Sequence, residues 1–125
     1  GPARTGVAVS DPTGTIARPL PAIARVDSPA GRRALDALIA AEGPERIVVG
    51  EPRSLSGARG AQARSAAAFA GRLRARVGVP VDLWDERLTT VEAARRGREA
   101  GSRADLDSLA ACVLLEAYLA RRAGP

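Results

Sequence analysis

Residues 46–86, RIVVGEPRSLSGARGAQARSAAAFAGRLRARVGVPVDLWDE, place two short apolar segments on either side of a glycine-rich loop and a helical pattern. The first segment, Arg46 to Gly50, has consecutive apolar residues, as expected for a strand that is covered on both faces. A helix is predicted from about Ala61 to Val77, and a second strand from Val79 to Trp84. The order strand, helix, strand predicts two parallel strands with the helix packed on them, which indicates an α/β fold.

The residues before this stretch predict a hairpin and a helix. Arg4 to Ser10 alternates as a strand does, and Asp11 to Gly14 is a turn signal. The extended segment from Thr15 to Ala24 contains two prolines, which favour a sheet edge. Asp27-Ser28-Pro29 is a typical helix start, and Gly43-Pro44 should end that helix. The chain therefore opens with an antiparallel hairpin followed by a helix.

Two more helices are predicted after the second strand. Thr89 and Glu92 form a capping box that opens a helix from Thr90 to about Ala100. A final amphipathic helix is predicted from about Ala104 to Arg122. A chain of 125 residues is long enough for one buried core. We therefore expect a single domain over residues 1–125, in which helices flank the strands.

The composition excludes several kinds of active site. The chain has no histidine, no lysine and one cysteine, which excludes a Ser-His-Asp triad, a Cys-His pair and histidine-bound zinc. Carboxylates remain as the groups that could build a reactive centre, and they favour a hard cation. The net charge of +5 attracts polyanions, so nucleic acid is an expected partner. A GC-rich coding sequence also explains the arginine bias.

Several patterns bear on where the protein acts. The single cysteine, Cys112, lies in an apolar helical pattern and is predicted to be a small core residue in a reducing compartment. No apolar run approaches the roughly 18 residues of a membrane span, and no signal-peptide pattern opens the chain. We therefore expect a cytoplasmic protein with no membrane partner. The chain has no methionine, so we also expect that sequence is missing upstream of Gly1.

Two acidic residues directly follow the second strand of the α/β stretch. Ligands of open α/β sheets bind beyond the carboxyl ends of the strands, where Asp85 and Glu86 are predicted to lie. Strand alternation would put Asp85 on one face of the sheet and Glu86, like Trp84, on the other. Two interpretations stay open: the acids solvate a loop and pair with Arg87, or one of them enters a cation site.

A third acid lies near the start of the final helix. Asp107 shares a helical stripe with Ala110, Ala111 and Leu114. An acid on this stripe either caps the helix or coordinates a ligand above the sheet. The small residues around it, including Ser108, would let the helix approach the strands closely.

The arginines offer candidate phosphate contacts. The loop after the first strand of the α/β stretch lacks the Gly-Lys-Ser/Thr of a nucleotide P-loop, which disfavours binding of ATP or GTP. The same loop carries Arg53 and Arg59 beside a predicted helix N-terminus, where a polynucleotide phosphate could bind. The arginines at positions 95, 96, 98 and 103 form either a solvated face or a further phosphate surface.

Three segments of the chain resemble the YqgF/RuvX family of Holliday-junction-resolvase-like nucleases, which is implicated in trimming precursor 16S ribosomal RNA. They are RTGVAVSD at residues 4–11, IVVGEP at residues 47–52 and DERLTTVEA at residues 85–93. Asp107-Ser108 and the helix after it continue the match to the end of the chain. The third segment is the most specific of these.

The resemblance implies a fold and a metal site. The fold is ribonuclease-H-like, with a mixed five-stranded sheet flanked by helices. The chemistry is phosphodiester hydrolysis with Mg²⁺ or Mn²⁺, in which Glu86 and Asp107 correspond to two of three catalytic, metal-binding acids. The third acid belongs to an Asp-x-Gly-x-x-Arg pattern on the central first strand. If Gly1 and Arg4 end that pattern, the aspartate lies two residues before Gly1, so this domain is expected to be truncated at its N-terminus and weakly active.

The resemblance also implies partners. Structured RNA such as precursor 16S ribosomal RNA, or branched DNA, is the expected substrate, and Arg4, Arg53, Arg59 and Arg87 are the candidates for contacts with nucleic acid. Homodimer formation stays open. The alternative function is that of a non-catalytic nucleic-acid-binding factor in ribosome assembly, while an actin-like nucleotide binder is disfavoured by the missing phosphate loop. Glu51 replaces a residue that is usually aliphatic in the family, which adds a charge near the expected substrate.

Overall fold

The structure is a computed structural model that describes residues 4–53, 56, 59–88 and 106–123. Its elements, in chain order, are β1 (Arg4–Ser10), β2 (Ala17–Ala24), α1 (Pro29–Glu42), β3 (Ile47–Glu51), α2 (Ala61–Arg74), β4 (Val81–Asp85), a 3₁₀ turn (Glu86–Leu88) and α3 (Leu106–Ala123). The predicted mixed α/β class is confirmed. The helix predicted from Thr90 to Ala100, with its arginines, lies outside the described residues. No helix in the described part of the chain combines the length and apolarity needed to cross a membrane.

The chain divides into two compact units. One unit comprises Gly1–Glu42 together with Thr90–Pro125, and the other comprises Gly43–Thr89. The described strands of the first unit form an antiparallel pair, and those of the second unit form a parallel pair.

The first unit opens with the predicted hairpin. β1 and β2 pair from Arg4 opposite Ala24 to Ser10 opposite Ala17. The turn between them is stabilised by Asp11, whose Oδ1 accepts the backbone N–H groups of Thr15 at 2.9 Å and Ile16 at 3.1 Å. Its Oδ2 accepts the hydroxyl of Thr13 at 2.6 Å. These hydrogen bonds stabilise the ionised carboxylate and thereby lower the pKa of Asp11. The hydrogen bond from Thr13 has the largest effect.

The helix α1 begins and ends where the sequence predicts. The hydroxyl of Ser28 accepts the backbone N–H of Gly31 at 3.0 Å, which satisfies one of the free donors of the first turn. The residue after the helix, Gly43, has a φ of +58°, a left-handed conformation that glycine adopts without a steric penalty.

The helix α3 packs on the hairpin through a face that agrees only in part with the predicted one: the burial predicted for Cys112 is confirmed, but the burial of Ser108 was not predicted. The sequence pattern predicts that Ala110 is buried, but this residue is exposed, while Ser108, Cys112, Val113 and Tyr118 are buried. The prediction for Ala110 is wrong because Ser108 finds hydrogen-bond partners in the hairpin and can be buried at no polar cost. The buried face therefore runs through Ser108 and Cys112, one helical turn apart.

The second unit contains the predicted parallel pair. β3 and β4 run in register from Ile47 beside Val81 to Glu51 beside Asp85. The helix α2 packs on both strands and buries Ala63, Ala70 and Leu73. The helix ends at Arg74 and the strand begins at Val81, so each element is shorter than predicted. This arrangement brings the carboxyl ends of two neighbouring strands to one edge of the sheet.

Candidate functional site

Asp107 lies in the first turn of α3 and has an arginine partner. Arg4 Nε is 3.3 Å from Asp107 Oδ2, and both side chains are about half exposed. The pair joins the start of β1 to the start of α3 within the first unit. Asp107 is therefore accessible at the surface and is accompanied by a positive charge.

Ser108 fixes this first turn of α3 to the hairpin. Its side chain is buried, with only 1% of the residue exposed. The hydroxyl accepts the backbone N–H of Val7 at 3.2 Å and donates to the carbonyl of Leu20 at 2.6 Å. Val7 and Leu20 face each other across the hairpin, next to the irregularity between Thr5 and Val7. The hydroxyl thus bridges the two strands and anchors the helix residue that follows Asp107.

Gly6 makes this close approach possible. A Cβ atom at Gly6 would lie 1.9 Å from the backbone carbonyl oxygen of Asp107, which no real side chain tolerates. The backbone of β1 therefore runs directly against the backbone of α3 at the candidate site. A glycine inside a strand pattern signals such a close approach, and Gly6 is such a glycine. Neither Gly6 nor the bridging role of Ser108 was predicted.

Glu86 lies at the carboxyl end of β4, as predicted, but not on a face of the sheet. The strand ends at Asp85 and Glu86 begins the 3₁₀ turn, so the predicted alternation of faces does not extend to it. The side chain is on the surface, yet surrounding protein atoms partly bury its carboxyl group. This partial burial raises the pKa of Glu86, and the negative charge of Asp85 acts in the same direction.

Asp85 pairs with Arg87, as one of the two interpretations for this acid predicts. Arg87 Nε donates to Asp85 Oδ2 at 3.0 Å, and the backbone N–H of Arg87 donates to Oδ1 at the same distance. The hydrogen bonds and charge of Arg87 lower the pKa of Asp85 to about 2, and Arg53 contributes a smaller effect. Asp85 is therefore ionised at neutral pH and bound to an arginine.

Glu51 is buried at the end of β3 and contacts two arginines. Only 2% of its side chain is exposed. Arg53 Nε donates to Oε1 at 2.6 Å, and Arg59 Nε lies 2.8 Å from Oε2. The second contact is an ion pair without hydrogen-bond alignment. The charge expected near the substrate is thus neutralised inside the protein, and nothing in the sequence pattern predicted its burial.

The arginines predicted to bind nucleic acid share one property. Each pairs with a carboxylate of the chain: Arg4 with Asp107, Arg53 and Arg59 with Glu51, and Arg87 with Asp85. Three of the four lie in the second unit, where Glu86 is also found. A phosphate that binds there must share these guanidinium groups with the carboxylates or displace them.

The donor chemistry fits a hard cation in part. Glu86 and Asp107 offer carboxylate oxygens, which Mg²⁺ and Mn²⁺ prefer as ligands. Within the described ranges, however, no group of three or more acidic or cysteine side chains is close enough to hold a metal ion. The two predicted ligands lie in different units: Asp107 in the first and Glu86 in the second.

Comparison with known proteins identifies relatives along nearly the whole chain. The model of the family described as "RuvX: Holliday junction resolvase" matches residues 1–121. A protein of Moorella thermoacetica named "Putative pre-16S rRNA nuclease" is 45% identical over 121 residues, which cover 93% of this chain and 86% of that protein. Proteins of the same name from Mycobacterium ulcerans and Lachnospira eligens are 43% and 39% identical, covering 98% and 95% of this chain and 75% and 91% of their own lengths.

The matched residues include the candidate site residues of both units. The Asp107-Ser108 pair and the strand-end acids 85 and 86 all fall within the matched residues. The resemblance predicted from three short segments is therefore confirmed over almost all of the sequence. The chain belongs to the RuvX family, described as Holliday junction resolvase.

Proposed function

We propose that this chain is the nuclease domain of a phosphodiesterase that acts on structured nucleic acid with the help of Mg²⁺ or Mn²⁺. Membership of the RuvX family and the names of the relatives support a nuclease or resolvase. The structural observation that carries the proposal is the way the fold holds Asp107. Gly6 and Ser108 lock the first turn of α3 against the hairpin, although the Asp107 side chain itself is half-exposed.

A surface acid on a fixed backbone suits a ligand-binding role. A carboxylate that only solvates a helix end needs no such anchoring, whereas a metal ligand must be held close to its productive geometry. In the second unit, Glu86 directly follows the parallel strand β4, at the strand end where ligands of α/β sheets bind. We propose that Glu86 and Asp107 hold the metal ion. When bound, the ion would supply a Lewis acid and an activated water.

The other residues of the site have proposed roles that the chain performs by itself. Arg53, Arg59 and Arg87 would orient the phosphodiester backbone, since guanidinium groups match phosphate geometry. Arg4 would contribute its charge next to Asp107. The carboxylates that pair with these arginines keep the guanidinium groups in place before the substrate arrives.

We also propose the complete ribonuclease-H-like arrangement for the domain. The resemblance implies a five-stranded sheet whose central strand carries the third acid. In support, the described strands form two separate two-stranded pairs, and an isolated pair of strands is marginally stable at best. A third carboxylate would strengthen the grip on a hard cation.

The proposed substrate is precursor 16S ribosomal RNA, in line with the names of the relatives, and branched DNA is the second candidate. The test incubates each substrate with Mn²⁺ and compares the native chain with Glu86→Gln, Asp107→Asn and the exposed control Glu45→Gln. We expect the first two variants to lose cleavage and the control to retain it. The comparison should include a chain preceded by the aspartate-bearing strand, which should cleave faster.

Equal cleavage by all of these proteins would refute the assigned acids. A different outcome would favour the alternative function in ribosome assembly: no cleavage with any divalent metal, together with RNA binding that survives the double variant Glu86→Gln, Asp107→Asn. The two functions are therefore separated by measuring binding and cleavage on the same RNA.

A further inference from the structure

Glu51 joins the two ends of the loop between β3 and α2. Its side chain is almost fully buried, with 2% exposed, at the last position of β3. Arg53, at the start of the loop, donates its Nε–H to Oε1 at 2.6 Å. Arg59, at the end of the loop, places its Nε 2.8 Å from Oε2. A single carboxylate thus holds two guanidinium groups that are six residues apart in sequence.

A buried carboxylate is stable only when it is paired. Removing an ionised group from water is costly, and the two arginines compensate that cost. Their side chains are 27% and 48% exposed, so each reaches from the buried carboxylate to the surface. The three side chains together retain one positive charge. The carboxylate of Glu51 determines the position of this positive charge, because both guanidinium groups contact it.

Both arginines approach Glu51 through Nε rather than through their terminal nitrogens. A guanidinium group has five N–H donors in a planar fork. Arg53 Nε donates to Glu51 and Arg59 Nε lies beside it, and among the residues that the structure describes no partner is found for the terminal nitrogens of Arg53 and Arg59. The outer edge of a guanidinium group matches two oxygens of a phosphate. The arrangement therefore presents two phosphate-binding edges.

The surroundings of the two arginines also favour an anion. The helix α2 begins directly after the loop, and its first turn contains no acidic residue and receives no side-chain cap from Gly60. Free N–H groups at a helix N-terminus carry a partial positive charge. The strand partner of Glu51 is Asp85, which precedes Glu86. The arginines therefore lie at the same edge of the same unit as one proposed metal ligand.

We propose that Glu51 is a positioning residue that holds Arg53 and Arg59 as a clamp for the backbone phosphates of the nucleic acid. This inference rests on the proposed nucleic-acid substrate and adds a residue that does not itself touch it. Glu51 acts by fixing the direction of two guanidinium groups, so that their terminal nitrogens point outward. It lowers the total positive charge of the protein and yet strengthens binding of a polyanion.

The first test keeps the positive charge of each arginine and removes the planar fork of its guanidinium group. The donors of a lysine ammonium all lie on one nitrogen, so a lysine held at Glu51 lacks the separate outward edge of two N–H groups that a guanidinium group presents to a phosphate. We therefore expect Arg53→Lys and Arg59→Lys to weaken RNA binding about tenfold each, the loss of roughly one charge-assisted hydrogen bond. The exposed arginine Arg33 of α1 serves as the matched control, and Arg33→Lys should bind as the native chain does.

The second test removes the buried charge. Glu51→Gln preserves the shape of the side chain and makes the protein more positive by one unit. If charge alone governed binding, this variant would bind RNA more tightly. The clamp predicts weaker binding, because a neutral amide cannot hold two guanidinium groups at once. The control Glu45→Gln makes the same change in charge on an exposed residue and should not weaken binding.

The measurement is fluorescence anisotropy of a labelled RNA hairpin in EDTA over a series of salt concentrations. EDTA prevents any contribution of metal ions to the binding that is measured. The slope of log Kd against log salt should fall by roughly 0.7 to 0.9 in Arg53→Lys, as for the loss of one phosphate contact. A role limited to stability would leave this slope unchanged in a variant that folds.

The outcomes separate this inference from the proposed function. Native-like binding and slope in Arg53→Lys and Arg59→Lys, or tighter binding by Glu51→Gln, would overturn the clamp and leave the nuclease proposal intact. Weakened binding in all three, without cleavage by any protein, would support the clamp and refute the nuclease. If Glu51→Gln fails to fold by circular dichroism, the two lysine variants decide. A native chain that does not bind RNA would overturn both proposals.

Discussion

The hydroxyl of Ser108 gives the sharpest test of how the fold holds the candidate site. Replacing Ser108 with Ala removes one oxygen from a buried position and changes nothing else in the covalent structure. That oxygen accepts the backbone N–H of Val7 and donates to the carbonyl of Leu20. With 1% of the residue exposed, water cannot replace it. The substitution therefore leaves two backbone groups without their hydrogen-bond partner.

The expected loss of stability follows from these two groups. A buried donor or acceptor left unsatisfied costs about 1–3 kcal/mol. Alanine is a better helix former than serine, and this difference in helix propensity stabilises the variant by about 0.5 kcal/mol. The net destabilisation of Ser108→Ala should be about 2 kcal/mol, which corresponds to a change of roughly thirtyfold in the folding equilibrium.

Urea denaturation followed by circular dichroism measures this difference directly. The matched control is Ser65→Ala, at an exposed position of α2, which should stay within about 0.5 kcal/mol of the native chain. If Ser108→Ala changed the free energy of unfolding no more than Ser65→Ala does, the hydroxyl bridge would have no structural role. In that case Ser108 would not fix the position of Asp107 either.

Three further predictions concern other parts of the described chain. Gly6→Ala should destabilise the protein more than Ser108→Ala, because its Cβ would lie 1.9 Å from the carbonyl oxygen of Asp107; urea denaturation measures this, and a stable variant would contradict the close approach. Asp11→Ala should destabilise the hairpin at neutral pH. Because hydrogen bonds lower the pKa of folded Asp11 below its usual 3.8, its contribution is present above about pH 4 and is lost on acidification, so denaturation curves of variant and native chain should converge at low pH rather than keep a constant difference. Burial raises the pKa of Cys112 to about 11, so the thiol should react slowly with a disulfide reagent at about pH 8 until urea unfolds the chain; rapid reaction of the folded protein would show that this residue is accessible.

The elements of the fold that local patterns determine could be predicted from the sequence. The hairpin follows from alternation and a turn at Asp11, and the start of α1 follows from Ser28 and the proline after it. The parallel pairing of β3 with β4 follows from the helix between them. The pairing of Asp85 with Arg87 was also foreseen, because the two residues are close in sequence.

The features that the sequence did not reveal depend on distant partners. Ser108 forms hydrogen bonds with Val7 and Leu20, which are 101 and 88 positions away in the sequence. No periodicity along α3 indicates that this serine, rather than Ala110, faces the hairpin. Glu51 is a charged residue at the end of an apolar strand, where an exposed side chain is expected. It is nevertheless buried, because two arginines surround its carboxylate. Such burial is decided by tertiary pairing, which overrides the polarity of the single residue.

The proposal that carries most weight is that Glu86 and Asp107 are both ligands of a divalent ion. An NMR titration with Mn²⁺ tests this proposal most directly. The ion broadens the signals of nearby backbone amides even when it binds weakly. The account predicts that the amides of residues 86 and 107 broaden over the same range of Mn²⁺ concentration, and that Glu86→Gln abolishes the broadening at both positions. Broadening at residue 107 that persists unchanged in Glu86→Gln would contradict it.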